Sequence, residues 1–286
     1  MTSKNTIVCS LIIASATAFL SGCDHGLDVE GGGELVVEGW IDSGQYPVVK
    51  LTRTVSVGSE YQSTDNLEDC VEQWARVTVS DGGREVTLIG HRDDSHFPPY
   101  VYTTSDMLGV PGRTYTLTVD CLDGTHAEAQ TTIPQPAAID SFAIERVSVA
   151  DTLRQVYAYV RDDGTKGGGY KLFTYVYGEE KGFMSAYLGI SAADRLPDGR
   201  RMAVSRGRQN LTSDFTPYFA VGDTVMVKLA RIDETAYHFW RDFEDMVTLS
   251  RNPFFPVTNN LHSNITGGLG YWFGYGSDVK SVIVTP

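Results

Sequence analysis

Positive charge is scarce in this chain. Lys and Arg number 23 against 36 Asp and Glu in 286 residues, which gives a formal net charge of -13 and a pI near 4.8. A surface this acidic repels phosphate backbones and anionic headgroups, so nucleic acid is excluded as a charge-driven partner. Histidines number six, and the chain has no His-Glu-x-x-His, no Gly-x-Ser-x-Gly elbow and no P-loop. Many carboxylates are present, but no spacing singles out a glycosidase pair. His91 and His96 flank Asp93 and Asp94. Nothing in that spacing supplies the three or four oriented ligands a metal site needs, and a solvated turn is expected. Together these shortages lead us to expect a non-enzymatic protein with no cofactor and no metal.

Long apolar runs are also lacking. Beyond residue 20 no segment approaches the roughly 20 apolar residues of a membrane-spanning helix. What the N-terminus does hold is Lys4, an uncharged stretch from Thr6 to Leu20, and then Leu20-Ser21-Gly22-Cys23. Charged start, short apolar region and small residues form a secretory signal, and its end resembles the bacterial lipobox. We therefore expect residues 1–22 to be a signal peptide and Cys23 to become the acylated N-terminus, holding the chain to a membrane through lipid. Residues 23–33, acidic and ending in Gly31-Gly32-Gly33, read as a flexible tether.

Cysteines number four. With Cys9 removed and Cys23 lipidated, Cys70 and Cys121 remain, an even pair in an exported chain, which invites a disulfide. Cys121 continues the apolar face of Tyr115, Leu117 and Val119 and is expected to be buried. Such a bridge would stabilise by about 3 to 5 kcal/mol in the chain-entropy model. Two unpaired thiols are the alternative.

Apolar residues make up 42% of the chain, ample for a core. From Glu34 onward, short Val-, Thr- and Tyr-rich runs are separated by Gly, Asp and Pro. Strands are expected at 34–41, 46–54, 75–80, 84–89, 113–121 and 126–133, with hairpin turns at Asp81-Gly82-Gly83 and Asp123-Gly124. Val55 to Trp74 reads as a polar surface loop. This spacing predicts an immunoglobulin-like or transthyretin-like sandwich over 34–135. Pro134-Gln135-Pro136 marks a boundary, and 136–286 reads as a second β-rich domain. There, Leu188 to Thr216 reads as irregular, with Arg195, Arg200, Arg201, Arg206 and Arg208 forming a basic cluster on an acidic body.

One amphipathic helix is predicted over about 234–251, capped by Asp233 and stopped by Asn252-Pro253. At 100° per residue Ala236, Phe239, Trp240, Phe243, Met246 and Val247 share a stripe, while Arg241, Asp242 and Asp245 face away. We expect this helix to cover the second sheet. The glycine-aromatic run from Asn264 to Gly276 is expected to be a turn that enters a final strand at 278–284 and closes a sheet edge. Arginine anchors interfaces well, so Arg200, Arg201, Arg206 and Arg208 are the candidate partner-binding residues, on a free loop.

Several segments in order resemble one known family. They are Leu35-Val36-Val37-Glu38-Gly39-Trp40-Ile41, Val49-x-Leu51-Thr52-Arg53, Ala75-x-Val77-x-Val79, Tyr115-x-Leu117, Ile133-Pro134 and Ile139-Asp140-Ser141. Gly222-Asp223-Thr224-Val225, a helix with Tyr237 and Trp240, and Asn264-Ile265-x-Gly267-Gly268-Leu269-Gly270-Tyr271 complete the series. The chain resembles Bacteroidota outer-membrane lipoproteins with a domain of unknown function, usually encoded beside TonB-dependent receptors. The resemblance implies a surface-exposed envelope lipoprotein that binds a small ligand or assists a TonB-dependent transporter, and it supplies no catalytic residues. A cell-envelope hydrolase and a structural or adhesion component are the rival readings.

Overall fold

Period-two alternation builds the first half. A computed structural model describes residues 33–54, 70–161, 167–195, 200–207, 215–249 and 261–286. The lipobox, the tether up to Gly32 and most of the Val55–Trp74 segment lie outside the described residues. The first half comprises β1 (Leu35–Asp42), β2 (Val48–Arg53), β3 (Ala75–Ser80), β4 (Glu85–Arg92), β5 (Tyr100–Thr103), β6 (Thr114–Cys121) and β7 (His126–Thr132). Successive side chains on a strand point to opposite faces. Val37, Val49, Leu51, Val77, Val79, Leu117 and Val119 therefore share one core. Both hairpin turns form as read. Asp81 Oδ1 accepts the Gly83 and Arg84 N–H groups at 3.0 and 2.8 Å, and Asp123 Oδ1 accepts that of Thr125 at 2.9 Å. β5, too short to stand out in the sequence, links β4 to β2.

The second half holds β8 (Ala138–Arg146), β9 (Leu153–Arg161), β10 (Gly169–Val176), β11 (Met184–Ala192), β12 (Arg201–Val204), β13 (Phe219–Ala220) and β14 (Thr224–Ile232). The helix α1 (Glu234–Leu249) and β15 (Leu269–Ile283) follow. A four-stranded sheet of β8, β9, β12 and β13 packs over β10 and β14 around Ile139, Val156, Ala158, Leu172, Val227 and Leu229. Part of the region read as irregular is therefore ordered, as the end of β11 and all of β12. β11 lacks regular alternation, and β12 alternates over only four residues. β11 shifts register against β10 between Lys171 and Phe173, and Leu188 within it takes a φ of 51°.

β15 corrects the expected domain division. The large sheet runs β11-β10-β14-β15-β1-β2-β5-β4-β3-β6-β7, so β15 lies in its middle and closes no edge. Its first half pairs parallel with β1, from Val36↔Leu269 to Asp42↔Tyr275. Its second half pairs antiparallel with β14, from Arg231↔Gly276 to Thr224↔Ile283. The first core consequently takes Ile265 and fully buried Trp272 from beyond the helix. Residues 34–286 form one compact unit. Pro134–Pro136 separates two cores, not two independent sheets. The glycines of the run serve that central position. A Cβ on Gly276 would stand 2.4 Å from the Pro134 carbonyl oxygen, so only glycine lets the chain cross β15 there. At Gly270, with φ of 104°, a Cβ would stand 1.9 Å from the Val37 oxygen.

Asp233 caps α1 as read, accepting the Ala236 N–H at 2.8 Å. Ala236, Phe239 and Trp240 bury against Phe173, Tyr271, Phe273 and Tyr275, on the sheet face opposite the second core. The helix thus covers β10, β14 and β15. Asp242, placed on the outer face by the 100° wheel, is buried, as is Glu244.

Candidate functional site

On its outward face β9 gathers tyrosine and arginine side chains. Its Val156, Ala158 and Val160 point into the second core, so Tyr157, Tyr159 and Arg161 face outward. β12 lies on one side of β9, with Arg201 opposite Tyr159. β8 lies on the other, with Ser141 opposite Tyr159 and a register shift between Ile139 and Ser141 that accommodates Asp140. The Arg201 guanidinium sits 3.5 Å from the centre of the Tyr157 ring and pairs with Glu145 at 2.9 Å. These partners hold its pKa above the ordinary arginine value.

Beside this pair opens a depression of about 370 Å³ lined by Asp140, Ser141, Tyr159, Val160, Arg161 and Arg200. Arg161 stands 3.8 Å from Asp140, and both side chains are more than half exposed. Arg200 takes a φ of 54°, in the left-handed region, while its carbonyl accepts the Val160 N–H at 2.8 Å. Regular strand geometry would send residues 200 and 201 to opposite faces. The left-handed turn at 200 lets both reach the outer side of β9, at a cost on the order of 1 kcal/mol or more.

Ion pairs that involve buried lysines form the contrasting arrangement. Lys171, fully buried, donates to Glu244 Oε1 at 2.6 Å and to the Ala186 carbonyl at 3.1 Å. Glu244 Oε2 accepts the Leu188 N–H at 2.8 Å. Burial pushes the Lys171 pKa down, and Glu244 opposes that shift. Lys228 pairs with Asp42 at 3.1 Å and lies 4.5 Å from the centre of the Phe173 ring. Lys50 pairs with Glu38 at 2.5 Å and is buried. The Tyr271 hydroxyl donates to Glu38 at 3.0 Å; burial first, then the Glu38 charge, drives its pKa far up. These three pairs were not legible beforehand. Each joins residues brought together only by sheet order or by the docking of α1.

The candidate residues named from sequence separate. Arg200 and Arg201 converge on the outer face of β9. Arg206 is committed elsewhere: its side chain pairs with Glu179 and its N–H binds the Pro217 carbonyl at 3.0 Å. Arg208 lies outside the described residues, as does Cys23. Placing these arginines on one free loop was thus incorrect, because β12 pairing distributes them. The structure draws no bond between Cys70 and Cys121. Cys121 ends β6 with its thiol in the first core, and burial raises its pKa, which disfavours the thiolate that disulfide chemistry needs. Asp93 and Asp94 act within their turn. Asp93 accepts from Ser95 and Asp94 pairs with Arg92 at 2.8 Å. Sequence reading missed Arg161, Tyr159, Ser141 and Asp140 as a group. Their outward alternation on β8 and β9 was the available signal. Among the described residues, no helix is long and apolar enough to cross a membrane.

A family model described as "Domain of unknown function (DUF4249)" matches residues 26–281. No curated protein matches the chain. Among solved structures, the chain is similar to the FN1–FN3 domains of chicken CNTN1, at 10% identity over 90% of this chain and 70% of that one, with a TM-score of 0.25. It is also similar to a segment of two fibronectin type III domains from chicken tenascin, at 8% identity over 71% of this chain and 91% of that one, with a TM-score of 0.22. Likenesses this loose bring nothing of those proteins' activities to this one.

Proposed function

The chain belongs to the DUF4249 family, and from that premise we propose that it is a non-enzymatic lipoprotein of the bacterial outer membrane, exposed at the cell surface. On this reading Cys23 carries the lipid, and the outer face of β9 binds a small ligand or docks on a TonB-dependent transporter. The observation that carries it is the assembly of Arg161, Arg200 and Arg201 with Tyr157 and Tyr159 on an exposed sheet face. Lys171 and Lys228, by contrast, are buried in pairs with Glu244 and Asp42. Arginine and tyrosine side chains on an exposed face recognise, whereas buried pairs hold the fold.

The test uses the full chain expressed with its own signal. Mass spectrometry should find an acylated Cys23, and Cys23→Ala should release the protein from membranes. Affinity capture from membranes should recover a TonB-dependent transporter. Arg161→Glu combined with Arg200→Glu should reduce that recovery while leaving acylation intact. Equal recovery by the variant would rule out this face as the docking surface.

One observation favours a hydrolase as the second reading. The buried Asp242 carboxylate accepts a hydrogen bond from the Nδ1 side of His262, whose ring is largely exposed, the arrangement of a base oriented by an acid. Turnover of envelope glycans or peptides that disappears in His262→Ala would establish it.

A further inference from the structure

Resting on the reading of the chain as a lipoprotein held at Cys23, we propose that the end of the first core displaying Trp74 and Leu122 lies in the headgroup zone of the same bilayer. That contact sets how the body stands on the membrane. Trp74 is 73% exposed and Leu122 85%. Both follow directly on the Ala75↔Cys121 pair that ends the β3–β6 ladder, so they share one end of the sheet. A series of bonds fixes that end beside the start of β1. The Glu34 N–H donates to Thr54 Oγ1 at 2.8 Å, and the Glu34 carbonyl accepts the Thr54 N–H at 3.0 Å. Next to Thr54, Arg53 pairs with Glu72 and with Asp123, each at 2.9 Å. Glu72 Oε1 in turn accepts the Trp74 N–H at 3.1 Å, and Asp123 adjoins Leu122 in the chain.

Chain length and side-chain chemistry name the partner. Ten residues separate Cys23 from Glu34, a bond path of at most about 40 Å. A lipid on Cys23 therefore keeps Glu34 and its neighbours within reach of the bilayer, and tethering populates even a weak contact. Tryptophan favours the membrane–water interface, where its ring is covered and its N–H stays hydrated. Glu34, Glu72 and Asp123 outnumber Arg53 at this end, so the contact is apolar and suits zwitterionic headgroups, not anionic ones. The topology adds a consequence. β15 starts with Leu269 opposite Val36 and continues for 15 residues, about 45 Å at roughly 3.3 Å per residue. Only its far half pairs with β14, so a tip resting on lipid holds the second core, and with it the β9 face, away from the membrane.

The test reconstitutes the full-length lipoprotein in phosphatidylcholine vesicles, with or without bromine on the acyl chains, and reads tryptophan fluorescence. Bromine quenches only rings close to it, and Trp240 and Trp272 are buried. Brominated lipid should dim the wild type, and Trp74→Phe should remove most of that loss. Leu122→Glu, shown to be folded by circular dichroism, should reduce the quenching severalfold, because a charge beside Trp74 holds the tip out of the lipid. Phosphatidylglycerol as half of the lipid should reduce it as well. The assignment is overturned if a protein that floats with the vesicles fluoresces equally in both. It is also overturned if Trp74→Phe is quenched like the wild type, or if quenching grows with phosphatidylglycerol. An unquenched Trp74 together with transporter capture lost in Leu122→Glu would make the tip a protein contact instead. An unacylated Cys23 would refute the lipoprotein reading and this one with it, whereas an acylated Cys23 with an unquenched Trp74 would refute the tip alone.

Discussion

Lys171 beneath α1 and Arg161 on β9 carry the same formal charge in opposite circumstances. Lys171 is fully buried against Glu244, whereas Arg161 is 71% exposed with Asp140 at 3.8 Å. The buried lysine must have its partner, because an unpaired charge in a dry interior costs several kcal/mol. The exposed arginine is solvated and contributes little to stability, as surface pairs do. Burial against a carboxylate thus marks a charge that serves the fold, whereas the exposed Arg161 contributes little to it.

The sharpest way to break this contrast is to remove one partner from the closed set. Glu244→Gln should destabilise by about 3 to 5 kcal/mol, since it leaves Lys171 buried without a counter-charge. Replacing both, as Lys171→Met with Glu244→Leu, should recover most of that loss. About 1 to 3 kcal/mol should remain, because the Leu188 N–H loses its acceptor. Chemical denaturation of the three proteins checks both values. A double variant as unstable as the single one would show that the helix contact matters more than the charge.

Capping comes next in size. Asp233→Ala should cost about 0.5 to 2 kcal/mol and loosen α1 over the closed pairs, seen as faster amide exchange at Ala236.

Glu180 is an intermediate case, a buried carboxylate whose recorded acceptor contact is the Val176 N–H at 2.7 Å. Burial raises its pKa above the usual 4.5. The folded state therefore holds the proton more tightly than the unfolded state. The contribution of Glu180 to stability is greatest below pH 4.5 and is lost as pH rises through the higher folded value. Glu180→Gln should be neutral near pH 4 and stabilising at pH 7, by about 1 kcal/mol or less. Thermal unfolding across that range checks the sign.

The smallest effects should come from the open face. Arg161→Gln with Arg200→Gln should change stability by no more than about 0.5 kcal/mol. Arg200→Gly, which relieves the left-handed torsion, should raise it by up to about 1 kcal/mol. A loss of several kcal/mol from the glutamine pair would erase the distinction between fold charges and ligand charges.

Much of the architecture was visible in local pattern. Alternation placed β1, β3, β6 and β7 within a few residues, because a half-buried strand writes its face into every second side chain. Asp81 and Asp123 announced their turns through bonds spanning two or three residues. Asp233 and the Ala236–Phe239–Trp240 stripe announced α1 for the same reason. β5, β11 and β12 escaped, being very short or broken by a register shift. Asp242 and Glu244 were misjudged or missed because the helical wheel knows only one contact face, while α1 also touches β11 and the segment around His262.

The sequence by itself therefore determined the strands, the turns, the helix cap, the acidic surface and the expectation of a lipid-bearing Cys23, all set by neighbours within a few positions. Only the tertiary structure decided that β15 joins the two halves as a central strand, that Lys171 finds Glu244, and that Arg161, Arg200 and Arg201 gather around Tyr157 and Tyr159. Those outcomes depend on pairings between segments as much as 233 residues apart, as between Val36 and Leu269. Which distant strand becomes a neighbour is settled by burying both cores at once, a condition that no local stretch of sequence contains.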